Sequence, residues 1–351
     1  MKTLKNMVLS LHGAPLRAVM VGQYLVRHPG ELSRCINEFG LGSEQAGWLQ
    51  RQVEACRILG EMCKHLITPE EYFLYDFPSL TEQDKNEYVG DIERTVHCAR
   101  LYNSSKSGRI FMNKLKTYEL FKPFFRRDLI EIRSERDYEK FLRFVKSHPT
   151  FLVKPSESSR GDGIYEETVT PDAYNEVFHE LLAKTPCVLE ELIKQADGMA
   201  KFHPESVNTI RYATFLTGGD SYETIACFVK IGRGSSIVDN GGAGGLLAAV
   251  DEKTGQITTA GRSELNEVYE VHPDTGVQIK GGRIPHWSEL KDMVEKLVQI
   301  LPDQRYVGWD LALSKNGWVL VEGNSGGQFV GPQISLKKGI RSVVDRTFGE
   351  L

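Results

Sequence analysis

Three oxygen-bearing side chains near the C-terminus have the types and the spacing of a metal site. Asp310 ends one apolar run, and Glu322 and Asn324 end the next run, after a Lys-Asn-Gly turn. Because Asn-Gly commonly joins two strands, we predict a hairpin that brings the three side chains together. Carboxylate and amide oxygens are ligands that hold Mg²⁺ against phosphate oxygens. An ordinary hairpin with polar ends is the alternative that this motif alone leaves open.

A serine- and glycine-rich stretch further upstream could approach a polyphosphate. It follows a short apolar strand that ends at Lys154-Pro155, and it runs from Ser156 to Tyr165. Glycine allows a backbone to approach a ligand closely, and free N–H groups can donate to phosphate oxygens. The stretch lacks the glycine and lysine spacing of a P-loop, so we predict a strand-loop-strand flap. A simple flexible hairpin is the alternative.

Several cations have defined places on the predicted helices and strands. Lys114 stands near the start of a predicted helix. Apolar and polar residues alternate around Arg211, which predicts that its side chain projects from one face of a strand. Lys230 and Arg233 follow at the end of the next predicted strand. Each of the last three could also be an ordinary surface charge on a sheet.

The composition is that of an average soluble globular protein. The chain has 351 residues, 40% hydrophobic and 26% charged, and this length favours two or three domains. A net charge of -4 gives no reason to propose a nucleic-acid partner. No segment reaches the roughly 20 continuous apolar residues of a membrane span. The cysteines form no Cys-x-x-Cys pair, so we expect reduced, mostly buried thiols in a cytoplasmic protein.

The elements that position the candidate residues change character along the chain. Apolar residues at three- and four-residue spacing predict a helical N-terminal region, with helix starts at Thr68 and at the Ser79-Leu-Thr-Glu stretch. The charged side chains between Lys122 and Glu135 are interpreted as a solvated helix face. Beyond the polar loop 103–108 short strands dominate, and a last helix is predicted over 334–348. We predict three parts: residues 1–102, 103–189 and 190–351.

The order of these elements resembles the ATP-grasp ligase superfamily over residues 113–332. A helix lysine, a strand ending in Lys154-Pro155, a Ser/Gly flap, a strand ending in Glu190-Glu191 and the acidic hairpin follow one another as they do there. Residues 189–214, with Glu-Glu-x-Ile-x-Gln and then Asn-Thr-Ile-Arg, look most like the sugar-transfer-associated ATP-grasp subgroup. The resemblance implies an α+β fold of two α+β lobes with ATP between them, preceded by the mainly helical N-terminal region.

The resemblance also implies roles for individual residues. Lys114 and Lys154 would contact the ATP phosphates, with Lys116 in place of Lys114 if the helix register differs. Glu190 and Glu191 would lie at the hinge between the lobes, where the backbone recognises adenine and an acid holds ribose. The flap would cover the phosphates with Ser158, Ser159, Arg160, Gly161 and Gly163. One or two Mg²⁺ ions would be held by Asp310, Glu322 and Asn324.

The reaction implied by the resemblance joins a small-molecule carboxylate to an amine through an acyl phosphate. The amine attacks through a tetrahedral anion, which requires a nearby cation. Related dipeptide ligases carry an arginine two residues before the first metal aspartate, where this chain has Gly308. We therefore expect that cation to be Arg211, Lys230 or Arg233. Asn240 resembles a position near metal or substrate, and a turn asparagine in a left-handed conformation is an equally good interpretation.

Two other functions stay open at this stage. One is an ATP-grasp kinase with a hydroxyl acceptor, and the other is a nucleotide-binding module that performs no chemistry. The subgroup resemblance places a ligase in peptide natural-product or cell-surface glycan biosynthesis. We expect small molecules as partners, with no nucleic acid and no integral membrane segment, and a homodimer is left open.

Overall fold

The first part of the chain is built from helices. The computed structural model describes residues 14–40, 47–157, 163–219, 221–237, 239 and 241–349. A π-helical turn, Thr95–Ala99, interrupts the helical series. The helices are α1 (Ala14–Arg27), α2 (Glu31–Phe39), α3 (Trp48–His65), α4 (Pro69–Leu74), α5 (Glu82–Glu87), α6 (Asp91–Arg94), α7 (Arg100–Tyr102) and α8 (Ser105–Phe111).

Two helix starts in this region follow from their capping residues. The Thr68 hydroxyl accepts a hydrogen bond from the Glu71 N–H at 3.2 Å, and the Glu71 carboxylate accepts one from the Thr68 N–H at 2.8 Å. This reciprocal pair satisfies two backbone donors that α4 would otherwise leave unpaired. In the second predicted stretch the cap is Thr81 rather than Ser79, because the Thr81 hydroxyl accepts from the Asp84 N–H at 3.2 Å.

A four-stranded antiparallel sheet forms the smaller lobe. Its order is β1-β4-β2-β3. Helices α10 (Tyr138–Ser147) and α11 (Tyr174–Leu182) pack on it through a core rich in phenylalanine. The strands are β1 (Leu129–Ile132), β2 (Thr150–Pro155), β3 (Tyr165–Thr168) and β4 (Cys187–Glu191).

The prediction of a solvated helix face between Lys122 and Glu135 is wrong. The stretch contains strand β1, which pairs with β4, and both Arg127 and Glu131 are buried. Charges of both signs at close spacing are typical of exposed helices, but here each of these two charges has a buried partner. The Glu131 carboxylate accepts from the Ser156 hydroxyl at 2.7 Å. The closely spaced charges in this stretch therefore do not indicate exposure, because Arg127 and Glu131 are buried with polar partners inside the lobe.

A seven-stranded antiparallel sheet forms the larger lobe, in the order β11-β10-β5-β6-β7-β8-β9. Helix α9 (Lys114–Phe125) packs on it, and the Phe121 ring lies 5.5 Å from the ring of Trp309 on β10. Helices α12 (Asp197–Ala200) and α13 (Trp287–Ile300) complete this layer. The strands are β5 (Thr209–Gly218), β6 (Ser221–Ile231), β7 (Leu246–Ala249), β8 (Gly261–Arg262), β9 (Val268–Tyr269), β10 (Tyr306–Ser314) and β11 (Gly317–Ser325).

The C-terminal segment forms two helices where one was predicted. Helix α14 (Val330–Leu336) ends at Lys337, whose φ of 49° is left-handed, and α15 (Arg341–Phe348) follows. A residue in this conformation is a common helix terminator, and the apolar periodicity on both sides conceals it. The predicted α+β class is confirmed, whereas the limits 1–102, 103–189 and 190–351 stay a prediction. Among the described helices, none combines the length and apolarity that a membrane crossing requires.

Candidate functional site

The hairpin of β10 and β11 brings the predicted metal ligands together. Asp310 is the antiparallel register partner of Glu322, and Gly308 is that of Asn324. Residues opposite each other on an antiparallel pair share a face, and so do residues two apart on one strand. One extra residue, Val321, forms a bulge on β11 immediately after the Asp310 pair. Asp310, Glu322 and Asn324 therefore project from the same face at the same end of the sheet.

Two cations from neighbouring strands converge on Asp310. The Arg211 guanidinium donates from Nε to Asp310 Oδ1 at 2.5 Å and from Nη2 to Oδ2 at 2.8 Å. Lys230 Nζ lies 3.4 Å from Asp310 Oδ2. Burial alone would raise the pKa of Asp310, but Arg211 and Lys230 outweigh it and hold the pKa below its ordinary value. Asp310 is therefore ionised at neutral pH although it is buried.

Asp239 completes this charge cluster, and sequence reasoning missed it. Its Oδ1 lies 3.5 Å from Lys230 Nζ, and its Oδ2 accepts hydrogen bonds from the N–H and the hydroxyl of Thr209 at 2.9 and 2.5 Å. Burial raises the pKa of Asp239 against the opposing effect of Lys230. The only sequence signal was an acid next to the glycine-rich stretch 240–245. Asp239 and Asp310 together fix the Lys230 ammonium between them.

The remaining two hairpin residues fit a divalent cation and its phosphate ligand. Burial in the cleft raises the pKa of Glu322, and repulsion by Asp310 raises it further. The Nδ2 atom of Asn324 is buried and has no hydrogen-bond partner among the described residues. A cation between the carboxylates would relieve the repulsion, and a phosphate oxygen would accept from the unpartnered amide. Asp310, Glu322 and Asn324 are thus a suitable oxygen donor set for Mg²⁺.

The glycine two residues before Asp310 makes room for an arginine that comes from another strand. A Cβ atom at Gly308 would lie 3.3 Å from Arg211 Cδ and 3.6 Å from Arg211 Nη1. Arg211 on β5 therefore occupies the space beside Gly308, and its guanidinium reaches Asp310 from there.

Glu190 lies inside the smaller lobe, neutralised by two cations. Its Oε2 lies 2.6 Å from Lys154 Nζ, and its Oε1 accepts from Arg127 Nε at 2.6 Å. Burial alone would raise the pKa of Glu190, but Arg127 and Lys154 outweigh it and lower the pKa to about 2. Glu191 ends the strand in a partly exposed position and accepts from the Asp128 N–H at 2.9 Å. Of the two predicted hinge acids, Glu191 is the accessible one, while Glu190 positions Lys154.

Lys114 lies between the two sheets. Burial lowers its pKa, Glu322 opposes that effect, and Lys154 lowers the pKa further. These interactions place the Lys114 ammonium within electrostatic range of the larger lobe on one side and of the smaller lobe on the other. Lys116, two residues further along the same helix, is exposed. The helix therefore presents Lys114 to the interlobe space.

Gly163 lies on the C-terminal side of the predicted flap. It has a φ of 73°, a backbone conformation that favours glycine, and a Cβ there would lie 3.1 Å from Pro155 Cγ. Four of the predicted flap residues, and Asn240, lie outside the described residues. These four are Ser158, Ser159, Arg160 and Gly161.

Arg233 is separated from the cluster around Asp310. Its Nη1 donates to Glu267 Oε2 at 2.8 Å and to the Tyr269 hydroxyl at 3.1 Å, and its guanidinium lies over the Tyr269 ring. None of its described contacts reaches Asp310 or Glu322. Of the three predicted catalytic cations, the structure brings Arg211 and Lys230 together at the hairpin and leaves Arg233 beside β8 and β9.

A cavity of about 580 Å³ opens beside the hairpin. Its lining includes Arg211, Lys230, Asp310, Glu322 and Asn324. A volume of this size lies within the usual range for small-molecule sites. The convergence of both cations and all three oxygen ligands on one cavity makes it the candidate active site.

The structure contains the predicted architecture of two α+β lobes preceded by a mainly helical region. The sequence profile of the sugar-transfer associated ATP-grasp family matches residues 93–348. The chain therefore belongs to that family. No curated protein sequence matches the chain significantly.

Several solved structures match part of this chain. The ATP-grasp ligase PsnB in complex with a minimal precursor has a TM-score of 0.43 and 14% identity, over 70% of this chain and 63% of that one. N5-carboxyaminoimidazole synthetase from Staphylococcus aureus has a TM-score of 0.43 and 12% identity, over 69% and 52%. The L-amino acid ligase from Bacillus licheniformis has a TM-score of 0.41 and 14% identity, over 69% and 49%. The chain thus spans only about half to 63% of the length of these proteins.

Proposed function

We propose that the protein is an ATP-dependent ligase that joins a carboxylate to an amine through an acyl-phosphate intermediate. The observation that carries this proposal is the guanidinium of Arg211 held on Asp310, beside Lys230 and facing the cavity. Phosphoryl transfer to a carboxylate, followed by attack of an amine, needs fixed positive charge at this place. Family membership provides the independent support for ATP as the phosphoryl donor.

ATP would lie between the two sheets. Lys114 and Lys154 would contact its phosphates, and Glu191, at the accessible end of β4, would hold the ribose. Mg²⁺ bound by Asp310, Glu322 and Asn324 would neutralise the phosphate charge. Glu190 fixes the direction of the Lys154 side chain through their ion pair, and Arg127 in turn holds Glu190 in place.

The proposed reaction has two steps, phosphoryl transfer to the carboxylate and attack by the amine. An oxygen of the acceptor carboxylate attacks the γ-phosphorus, the bond to the β-phosphate oxygen breaks, and ADP leaves. The amine nitrogen next attacks the acyl carbon, the C–O bond to phosphate breaks, and phosphate leaves while the nitrogen loses a proton. Arg211 and Lys230 stabilise the oxygen that becomes negative in the tetrahedral intermediate. We place this activity in the cytoplasm, in peptide natural-product or cell-surface glycan biosynthesis.

An ADP-release assay with an acyl-phosphate trap tests the proposal. The full chain is incubated with Mg²⁺, ATP and pooled carboxylic acids, with hydroxylamine as an external nucleophile that converts an acyl phosphate to a hydroxamate. We expect carboxylate-dependent ADP release, hydroxamate formation, and a loss of ~100-fold or more in Asp310→Asn, because a buried charge at the reacting phosphate is removed. Glu289→Gln, which changes an exposed carboxylate on α13, serves as the control.

Three results would contradict the ligase. A stable phosphate ester on a hydroxyl acceptor would indicate a kinase. Nucleotide binding without turnover on any acceptor would indicate a module that performs no chemistry. Equal activity of Asp310→Asn and the parent chain would remove the hairpin from the reaction altogether.

A further inference from the structure

One face of the larger sheet changes from charged to apolar beside the candidate metal ligands. Asp310 on β10 is the register partner of Arg211 on β5, and Arg211 is that of Phe228 on β6. Register partners on antiparallel strands project from the same face, with Cβ atoms about 5 Å apart. Phe228 therefore stands next to Arg211, on the side away from Asp310.

The same change occurs one step further along β6. Lys230 lies two residues after Phe228, so both side chains project from this face. The register partner of Lys230 on β7 is Leu247. Each of the two cations at the candidate site thus has an apolar neighbour on the adjoining strand.

The apolar surface continues onto the helices that cover this face. Leu74, at the end of α4, and Val330, at the start of α14, line the same cavity as Phe228 and Leu247. All four belong to or pack against one apolar cluster, which consists largely of residues from the N-terminal helices. We call Leu74, Phe228, Leu247 and Val330 the apolar patch of the cavity.

Two of the acids that line the cavity are already engaged within the protein. The Glu71 carboxylate accepts from the Thr68 N–H at 2.8 Å, from the Asp91 N–H at 2.9 Å and from the Tyr75 hydroxyl at 2.9 Å. Burial and the neighbouring Asp91 raise the pKa of Glu71 to about 8, so it is largely uncharged at neutral pH. Asp91 Oδ1 in turn accepts from Arg94 Nε at 2.7 Å. These contacts hold α4 on α6 and keep the helix end that carries the apolar patch in place.

The same helices are tied directly to the metal hairpin. Arg94 donates from Nη1 to the carbonyl oxygen of Gly326, two residues after Asn324. The Arg94 side chain is buried, so this bond is shielded from water. The apolar patch and the candidate metal ligands therefore face one cavity at a fixed spacing.

The charges of the lining favour an acceptor with a single carboxylate. Arg211 and Lys230 attract one carboxylate, whereas Glu70 and Glu264, which also line the cavity, repel a second. Apolar groups gain free energy when they leave water for apolar side chains such as those of the patch. A cavity of about 580 Å³ limits the acceptor to a small molecule.

We propose that the apolar patch binds the body of the acceptor, which is a small carboxylic acid with a branched aliphatic or aromatic group close to its carboxylate. The proposal rests on the ligase function and specifies its acceptor. The carboxylate lies at Arg211 and Lys230, and the apolar group lies over Phe228 and Leu247. The N-terminal helices therefore take part in the choice of acceptor, through Leu74.

Calorimetric titration of the full chain tests this inference. The chain is loaded with Mg²⁺ and a non-hydrolysable ATP analogue and is titrated separately with isocaproate, succinate and γ-aminobutyrate. These acids are similar in length, and their far ends are apolar, negative and positive, respectively. We expect isocaproate to bind ~10- to 100-fold more tightly than the other two and with the most negative heat-capacity change, because only isocaproate buries an apolar group.

Matched variants assign the effect to the patch. Leu247→Ala removes the apolar neighbour of Lys230 and should weaken isocaproate binding by ~10-fold or more, with little change for succinate or the nucleotide. Val330→Thr keeps the shape of a partly exposed side chain, so the fold is preserved, and should weaken isocaproate binding by ~3- to 10-fold. Val343→Thr makes the same change at a partly buried valine of α15 outside the cavity and should behave as the parent chain.

Three results would overturn the inference. They are equal binding of the three acids, tighter binding of succinate or γ-aminobutyrate, and an unchanged isocaproate affinity in both Leu247→Ala and Val330→Thr. Binding is measured without turnover, so the outcome is separable from that of the proposed function. Hydroxamate formation from all three acids alike would keep the ligase and remove the apolar specificity. Selective isocaproate binding without any hydroxamate would contradict the ligase and support the patch as a binding site for an apolar acid.

Discussion

Replacing Arg211 by methionine removes the guanidinium from Asp310 while keeping an apolar side chain of similar length. The Arg211 side chain is 17% exposed and that of Asp310 is 5% exposed, so the pair is largely shielded from water. The variant deletes both hydrogen bonds to Asp310 and leaves Lys230, at 3.4 Å, as its remaining cation. Among the described residues, the Lys230 ammonium is then the cation that balances the buried charge of Asp310.

The magnitude follows from that geometry. Breaking a buried ion pair by removing one partner costs about 3 to 5 kcal/mol. Because Lys230 still neutralises part of the charge, we expect the lower end, about 3 kcal/mol, in the free energy of unfolding. Loss of a fixed donor at a developing oxyanion lowers kcat by ~100- to 1000-fold. The loss of kcat in Arg211→Met should therefore be larger than the loss that a smaller folded fraction alone would cause.

Urea denaturation and ADP release are measured on the same preparations, with Arg233→Met as the matched control. Arg233 lies two residues after the end of β6 and is also paired, but with Glu267, which is 40% exposed. An ion pair so close to solvent contributes about 1 kcal/mol or less. We expect Arg233→Met to keep turnover within ~3-fold of the parent chain, since none of the contacts of Arg233 among the described residues involves the hairpin.

Equal losses of turnover in the two variants would refute the assignment of Arg211 as the cation at the reacting centre. So would a destabilised Arg211→Met protein that retains full turnover at a temperature where it is folded. In that case the pair with Asp310 would be a purely structural contact.

Two further predictions concern Glu190 and Gly308. Since the folded-state pKa of Glu190 is about 2, below its ordinary value of 4.5, its contribution to stability is complete above pH 5 and is lost as pH falls toward 2. This contribution amounts to about 3 kcal/mol. Urea denaturation between pH 6 and pH 3 should show that the free energy of unfolding depends less steeply on pH in Glu190→Gln than in the parent chain. An unchanged slope would contradict the pairing of Glu190 with Arg127 and Lys154. Gly308→Ala places a methyl group 3.3 Å from Arg211 Cδ. It should cost about 1 kcal/mol and reduce turnover by moving the guanidinium, whereas turnover equal to the parent's would show that Arg211 adapts without loss.

The hairpin was predictable because its information is local. The turn residues, the two apolar runs and the acids at their ends lie within 22 residues of one another, between Val307 and Gln328. Alternation along β5 also predicted that Arg211 projects from one face. Neither pattern could show that this face is the one that meets Asp310, because that depends on the pairing of β5 with β10 across 99 residues.

The misjudged residues are those whose partners are distant in sequence. Arg127 was interpreted as part of an exposed helix, since its counter-charge, Glu190, lies 63 positions away. Asp239 gave no periodic signal, and its role is visible only once Lys230 stands next to it. The capping residues of α4 were predicted correctly, but a cap does not reveal which face of a short helix borders a cavity. Patterns in a single sequence thus did not show which charged residues are buried together with a partner.

The bond from Arg94 to the carbonyl of Gly326 has a consequence for how such proteins diversify. It joins α6, where the family match begins, to the loop that follows the candidate metal ligands. The helices before residue 93 are also bound to the family core, because the Gln333 side chain donates to the Tyr75 hydroxyl at 2.8 Å and to the Val89 carbonyl oxygen at 3.0 Å. A chimaera joined near residue 90 would therefore need an N-terminal layer whose residues at positions 75 and 89 still match Gln333.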